Sequence, residues 1–149
     1  MNKILGFGLV AFILAMVMAT PSLAEDKMLE FPVKEALASS IAKDKLSKDI
    51  PIYMKGQGHP GVSKTFGEYK SNKRSNGVGK SDQEACDIAF ISALIAFQER
   101  ANREGGNGVV DIYSITKNQK HESAETYSCL AGRMMVNVAL SGKVVTLGK

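Results

Sequence analysis

The apolar positions between Ser81 and Leu140 predict one long helix followed by two strand-like runs. Ser81-Asp82-Gln83-Glu84 reads as a capping box, in which serine hydroxyl and glutamate carboxylate satisfy each other's orphan backbone donors. Cys86, Phe90, Ala93 and Phe97 then recur on one helical face, and Ile88, Ile91 and Ile95 widen it to most of the circumference. Gln98, Glu99, Arg100, Asn102, Arg103 and Glu104 turn polar, and Gly105-Gly106 ends the helix as a left-handed cap would. About 24 residues at about 1.5 Å each make a rod of roughly 36 Å. A rod that apolar has to lie across a sheet.

The rest of the pattern supplies that sheet. Residues 32–46 read as a short amphipathic helix, with Leu37 and Ile41 on one side and Lys34, Glu35 and Lys43 on the other. Residues 52–55 form a brief strand, 56–61 a glycine- and proline-rich loop, and 62–70 a strand carrying Phe66 and Tyr69. Residues 71–80 read as a polar loop feeding the helix, 109–115 as a β-branched strand, and 118–124 as a charged turn. From Tyr127 to Leu140 the pattern describes one long strand. Met134, Val136, Val138 and Leu140 share one parity, Tyr127 and Cys129 the other. Either a bulge at Gly132 brings both halves to the core, or Cys129 faces away from it. Ser141-Gly142-Lys143 reads as a tight turn before a last strand over 144–147. The expected fold is α+β: a small, mostly antiparallel sheet packed on one long helix, plus a short N-terminal helix.

The N-terminus changes the picture of where this domain works. A basic start at Lys3, an apolar run from Ile4 to Met18 and small residues at Ser22 and Ala24 describe a signal peptide over 1–24, cleaved after Ala24. The run is short of the roughly 20 apolar residues a membrane span needs. Residues 25–149 are then one α+β domain, periplasmic or secreted, with no membrane span after cleavage. The formal charge of +4 over the 149 residues is too mild for a nucleic-acid binder, so none is expected as partner.

Two cysteines in an exported chain favour a disulfide, Cys86 to Cys129, closing a loop of about 43 residues. The alternative is a metal-binding protein that uses Cys86 and Cys129 with His59 or His121, although none of the four shows close ligand spacing. A thiol nucleophile would need a neighbouring base, and both histidines lie in loops. Gly79-Lys80-Ser81 suggests a phosphate loop, but Arg74 stands where that loop needs a glycine. No ATPase, nuclease or other catalytic constellation is evident, and no cofactor is implied. Between Lys55 and Lys80, six basic residues face one acid, Glu68. Lys64, Lys70, Lys73, Arg74 and Lys80 are therefore candidate anion-binding residues, toward an anionic envelope component or an envelope protein, against the plain reading of a solvated surface.

Several stretches carry a resemblance. Lys70-Ser71-Asn72-Lys73, Lys80-Ser81-Asp82, Glu84-Ala85-Cys86, Gln98-Glu99-Arg100-Ala101, Gly106-Asn107-Gly108-Val109-Val110 and Tyr127-Ser128-Cys129 resemble small exported bacterial proteins often labelled "excinuclease ATPase subunit". The label does not fit these residues, which hold no complete phosphate loop and no zinc-finger cysteine pairs. More distantly, Phe66-Gly67-Glu68 and the stretch 101–110 are similar to YbjQ-like domains and to the outer-membrane sensor lipoprotein of the Rcs envelope-stress system. Those resemblances imply a small sheet on one long helix and an envelope role. This chain has one possible disulfide where the sensor has two, and no cysteine for lipid attachment.

Overall fold

In the computed structural model, residues 26–148 are described, and the helix sits where the pattern places it. α3 runs Asp82–Glu104, 23 residues. The Ser81 hydroxyl accepts from the Glu84 amide at 3.1 Å, so one bond of the capping box forms; among the described residues the reciprocal one does not. At the other end Gly105 takes φ 83°, and the Gly106 amide reaches back to the Ala101 carbonyl at 2.9 Å, closing a Schellman cap. Ala85, Ala89, Ala93 and Ala101 keep the inward face thin, so Cys86, Phe90, Leu94 and Phe97 reach the sheet fully buried.

Gln98, read as the start of the polar end, is buried instead. Its amide accepts from Ser47 N at 2.9 Å and donates to the Ser47 and Ile50 carbonyls at 2.9 and 2.8 Å, pinning the loop that follows Lys45 to α3. The side chain is fully used, which is what makes a buried amide tolerable.

Six strands make one sheet: β1 Lys27–Pro32, β2 Ile52–Met54, β3 Val62–Asn76, β4 Gly108–Ser114, β5 Thr126–Ala131 and β6 Met135–Leu147. β6 is its spine. β3 runs antiparallel along one edge of β6 from end to end, Asn76 opposite Met135 and Val62 opposite Leu147. Along the other edge β5 pairs at 136–137 and β4 from 140 to 145. β1 continues outward from β5 antiparallel, and β2 from β4 in parallel. Thr116, in a short 3₁₀ turn, fills the fork between β4 and β5. Its hydroxyl accepts from Ala139 N at 3.1 Å and lies 3.1 Å from the Ser128 carbonyl, while Ser114 Oγ accepts from Ser128 N at 2.9 Å. Backbone groups that lose their ladder partner at the fork are thereby bonded.

Several expectations need correction. The long strand with a bulge at Gly132 is two strands joined by a turn: Gly132 N donates to Met135 O at 2.9 Å, and β5 folds back on β6. Reversal, rather than an extra residue, puts Tyr127 and Cys129 on the same buried side as Val136 and Val138. Met134 consequently lies in the turn, exposed. Ser141-Gly142-Lys143 is no turn but the middle of β6. A Cβ at Gly142 would stand 3.1 Å from Ile112 Cγ1 and 3.3 Å from the Phe97 ring, so glycine there makes room for Phe97. The polar stretch 71–76 continues β3 as strand, because β6 offers it an unbroken partner. The helix expected over 32–46 is two, α1 Val33–Ala38 and α2 Ser40–Lys45, broken at Ser39, which caps α2 from extended φ/ψ. Val33, Ala36 and Ala42 face inward, while Leu37 is exposed. β1 was hidden before Pro32. The signal peptide expected over 1–24 lies outside the described residues.

Candidate functional site

Three arrangements of polar groups stand out, and they differ in whether their charges are already satisfied.

The first is the seam between α3 and β5. Cys86 and Cys129 are bonded, with Cα atoms 6.0 Å apart, and both are completely buried. One residue along the helix, the Asp87 carboxylate accepts a hydrogen bond from the Tyr127 hydroxyl. The Tyr127 ring stacks on Phe90 with centroids 4.1 Å apart and leans on Phe31 at 6.1 Å. Burial pushes the Asp87 carboxyl above the usual range; the Tyr127 hydroxyl holds it down in part, and the Glu35 charge adds to the rise. Burial, then the bond to Asp87, push the Tyr127 hydroxyl up as well. Asp87 also borders a cleft of about 370 Å³ lined by Ser39, Ser81, Gln83 and Glu84, at the start of α3. Neither Asp87 nor Tyr127 was singled out in the sequence as a partner of the other. The available signal was parity, since Tyr127 and Cys129 share a strand face and Asp87 adjoins Cys86.

The second lies on the outer face of the sheet. Glu68 accepts from Ser141 Oγ at 2.7 Å and from the Tyr113 hydroxyl at 3.1 Å, and these bonds hold its carboxyl below the ordinary range. Two ammonium groups stand near the Tyr113 ring, Lys55 Nζ at 5.3 Å and Lys120 Nζ at 5.0 Å from its centroid. Both lysines also pair with Glu122, at 3.0 and 2.9 Å. Lys143 pairs with Asp111 at 3.2 Å. Every charge in this cluster has a partner.

The third is the basic set named from the sequence, which the structure disperses. Lys64, Lys70, Lys73 and Arg74 are on β3, and Lys80 is in the β3–α3 turn. Lys64 Nζ rests 4.6 Å over the Phe66 ring. Lys70 and Asn72 border a hollow with Lys117 and Asn137, whereas Lys73 borders another with Ser92 and Glu99 on α3. Arg74 also borders a groove at the β5–β6 turn, beside Arg133 and Met134. Among the described residues none of the five enters an ion pair within 4 Å. A strand's alternation, rather than a loop's freedom, sets where each points.

The histidines are remote in their contacts from the cysteines. His59 lies in the β2–β3 loop against Tyr53, ring centroids 5.6 Å apart. His121 bonds Thr126 Oγ1 at 2.8 Å and stands 3.5 Å from Glu30. With both sulfurs joined to each other, a Cys86/Cys129 metal site is not assembled in this structure. No helix among the described residues is long and apolar enough to cross a membrane. No family model matches the chain, and no curated protein matches it closely enough to show a relationship.

Proposed function

We propose that the protein is a non-enzymatic, disulfide-stabilised module exported to the periplasm or beyond it, binding an anionic envelope component through its unpaired cations. The observation that carries this reading is the buried Cys86–Cys129 bond. Structural disulfides of this kind form and persist in oxidising compartments. The apolar run from Ile4 to Met18, with Ser22 and Ala24 after it, agrees with export. The contrast between the cluster around Glu68, Tyr113 and Glu122, whose charges have partners, and the cations of β3 that enter no ion pair among the described residues supports a surface that meets negative charge from outside the chain. Kinship with the small exported bacterial proteins, and more remotely with the YbjQ-like and Rcs-sensor groups, belongs to the same reading. A six-stranded sheet on one 23-residue helix supports it at the level of architecture.

Two measurements test this. Non-reducing peptide mapping of protein from a periplasmic extract should link the fragments around Cys86 and Cys129, with a mature N-terminus at Glu25. Stoichiometric zinc on two reduced thiols would overturn the reading in favour of a metal-binding protein, and a chain retaining Met1 in the membrane fraction would remove the soluble product.

A further inference from the structure

We propose that the β5–β6 turn and the adjoining β3–α3 turn form a tip that docks on the surface of an anionic phospholipid bilayer. This rests on the envelope role proposed above and names the partner.

Five large apolar side chains are exposed among the described residues, and three of them gather at this tip: Val78 at 60%, Met134 at 65% and Met135 at 47%. The two turns are joined by backbone, Gly77 N donating to Met134 O at 2.8 Å, while Lys80 N closes its own turn on Gly77 O at 3.2 Å. A groove of about 490 Å³ opens beside them, lined by Asp26, Arg74, Leu130, Arg133, Met134 and Met135. Unbranched methionines suit a fluid and irregular partner better than a rigid one.

Charge names that partner. Arg74 and Arg133 line the groove with Met134 and Met135, Lys80 is exposed two residues after Val78 in the adjoining turn, and Lys27 pairs with Ala131 one residue before Gly132. Against them stand Asp26 in the groove and Asp82 at the start of α3. Apolar side chains ringed by an excess of cations match the interface of a bilayer with anionic headgroups. The chain also enters the fold here: an alanine Cβ at Gly132 would stand 2.9 Å from Asp26 Oδ1.

The test is co-sedimentation of the protein recovered from a periplasmic extract with vesicles of phosphatidylcholine and phosphatidylglycerol, against phosphatidylcholine alone. Binding to the anionic vesicles only, weakening as salt rises, is expected. Met134→Ser with Met135→Ser, and separately Lys80→Glu with Arg133→Glu, should each weaken it about tenfold without moving Tm, because all four side chains are exposed. Lys48→Glu, exposed in the loop pinned to Gln98 and outside the basic set of β3, should leave it unchanged. Equal sedimentation with both vesicle types, or equal binding by wild type and both tip variants, overturns the proposal. So does a tip variant that loses an envelope protein while keeping its vesicles, since the surface then docks protein. An oxidised periplasmic protein that ignores vesicles sinks the tip and leaves the envelope role standing. A reduced, cytoplasmic protein sinks that role and the tip with it.

Discussion

The α3–β5 seam and the long strand β3 are opposite solutions to holding a helix on a sheet. At the seam everything is buried: the Cys86–Cys129 bond, the Asp87–Tyr127 hydrogen bond and the Phe90–Tyr127 stack lie within a few residues of one another. β3 is mostly exposed, with Ser71 its one buried residue, and its stability comes from the backbone ladder with β6. The seam therefore concentrates free energy in particular side chains, while β3 leaves its side chains free for contact with other molecules. Substitutions should separate the two.

The largest effect belongs to the bridge. Reduction, or Cys129→Ser, should lower the unfolding free energy by about 2–5 kcal/mol, measured by denaturant titration with and without reductant. A loss below about 0.5 kcal/mol would mean that the seam holds without its covalent link. Next is Gly142→Val, which drives two methyls into Phe97 and Ile112 at the centre of β6; a cost of about 1–3 kcal/mol is expected from overpacking. If Gly142 were in a surface turn, the same change would be nearly silent.

Tyr127→Phe removes the hydrogen bond from Asp87 and leaves a buried acceptor, at about 1–3 kcal/mol. Asp87→Asn tests the same pair through pH. Because the folded protein raises the Asp87 pKa, its favourable contribution is fully present below the unfolded value of 3.8 and is lost as pH rises through the folded value. Wild type should therefore gain on Asp87→Asn as pH falls from neutral into the carboxylate range. Glu68, whose pKa is lowered, acts in the opposite direction in both proteins and cancels from the difference. A gap that does not change with pH would contradict the burial of that charge.

The smallest effect on stability is expected on β3. Lys73→Ala with Arg74→Ala should change stability by less than about 0.5 kcal/mol, both residues being exposed. If β3 meets an anionic component, the same pair should weaken that binding, and salt should weaken it further, since exposed charges are screened over about 8 Å at physiological ionic strength. A large drop in Tm instead would mean that these cations hold the fold.

What was legible in the sequence followed from rules of short range. A helix closes its hydrogen bonds within four residues, so Ser81, the apolar face through Phe97, and Gly105 bounded α3 from local information alone. The brief strand at Ile52–Met54 and the β-branched run at Gly108–Ser114 were legible for a similar reason. The disulfide followed from counting two cysteines in a chain read as exported, whereas the inward direction of Cys129 came from the reversal at Gly132 and not from the expected bulge.

The remaining choices needed partners distant in sequence. Polar residues 71–76 carry no strand signal, yet they pair with β6 over its first half because that edge would otherwise lie open. Gly132 and Gly142 look alike in sequence, each in a short run of small and polar residues. One became the turn between β5 and β6, and the other became the gap that admits Phe97. Lys73 and Arg74 are neighbours in sequence, but only the pairing of β3 decided that Arg74 reaches the tip groove with Arg133 and Met134. Sequence determined the helix and its ends, because those depend on neighbours a turn away. Tertiary structure decided the strand lengths, the turn at Gly132 and the tip's mixture of methionine and arginine, because a strand's hydrogen bonds all go to residues elsewhere in the chain.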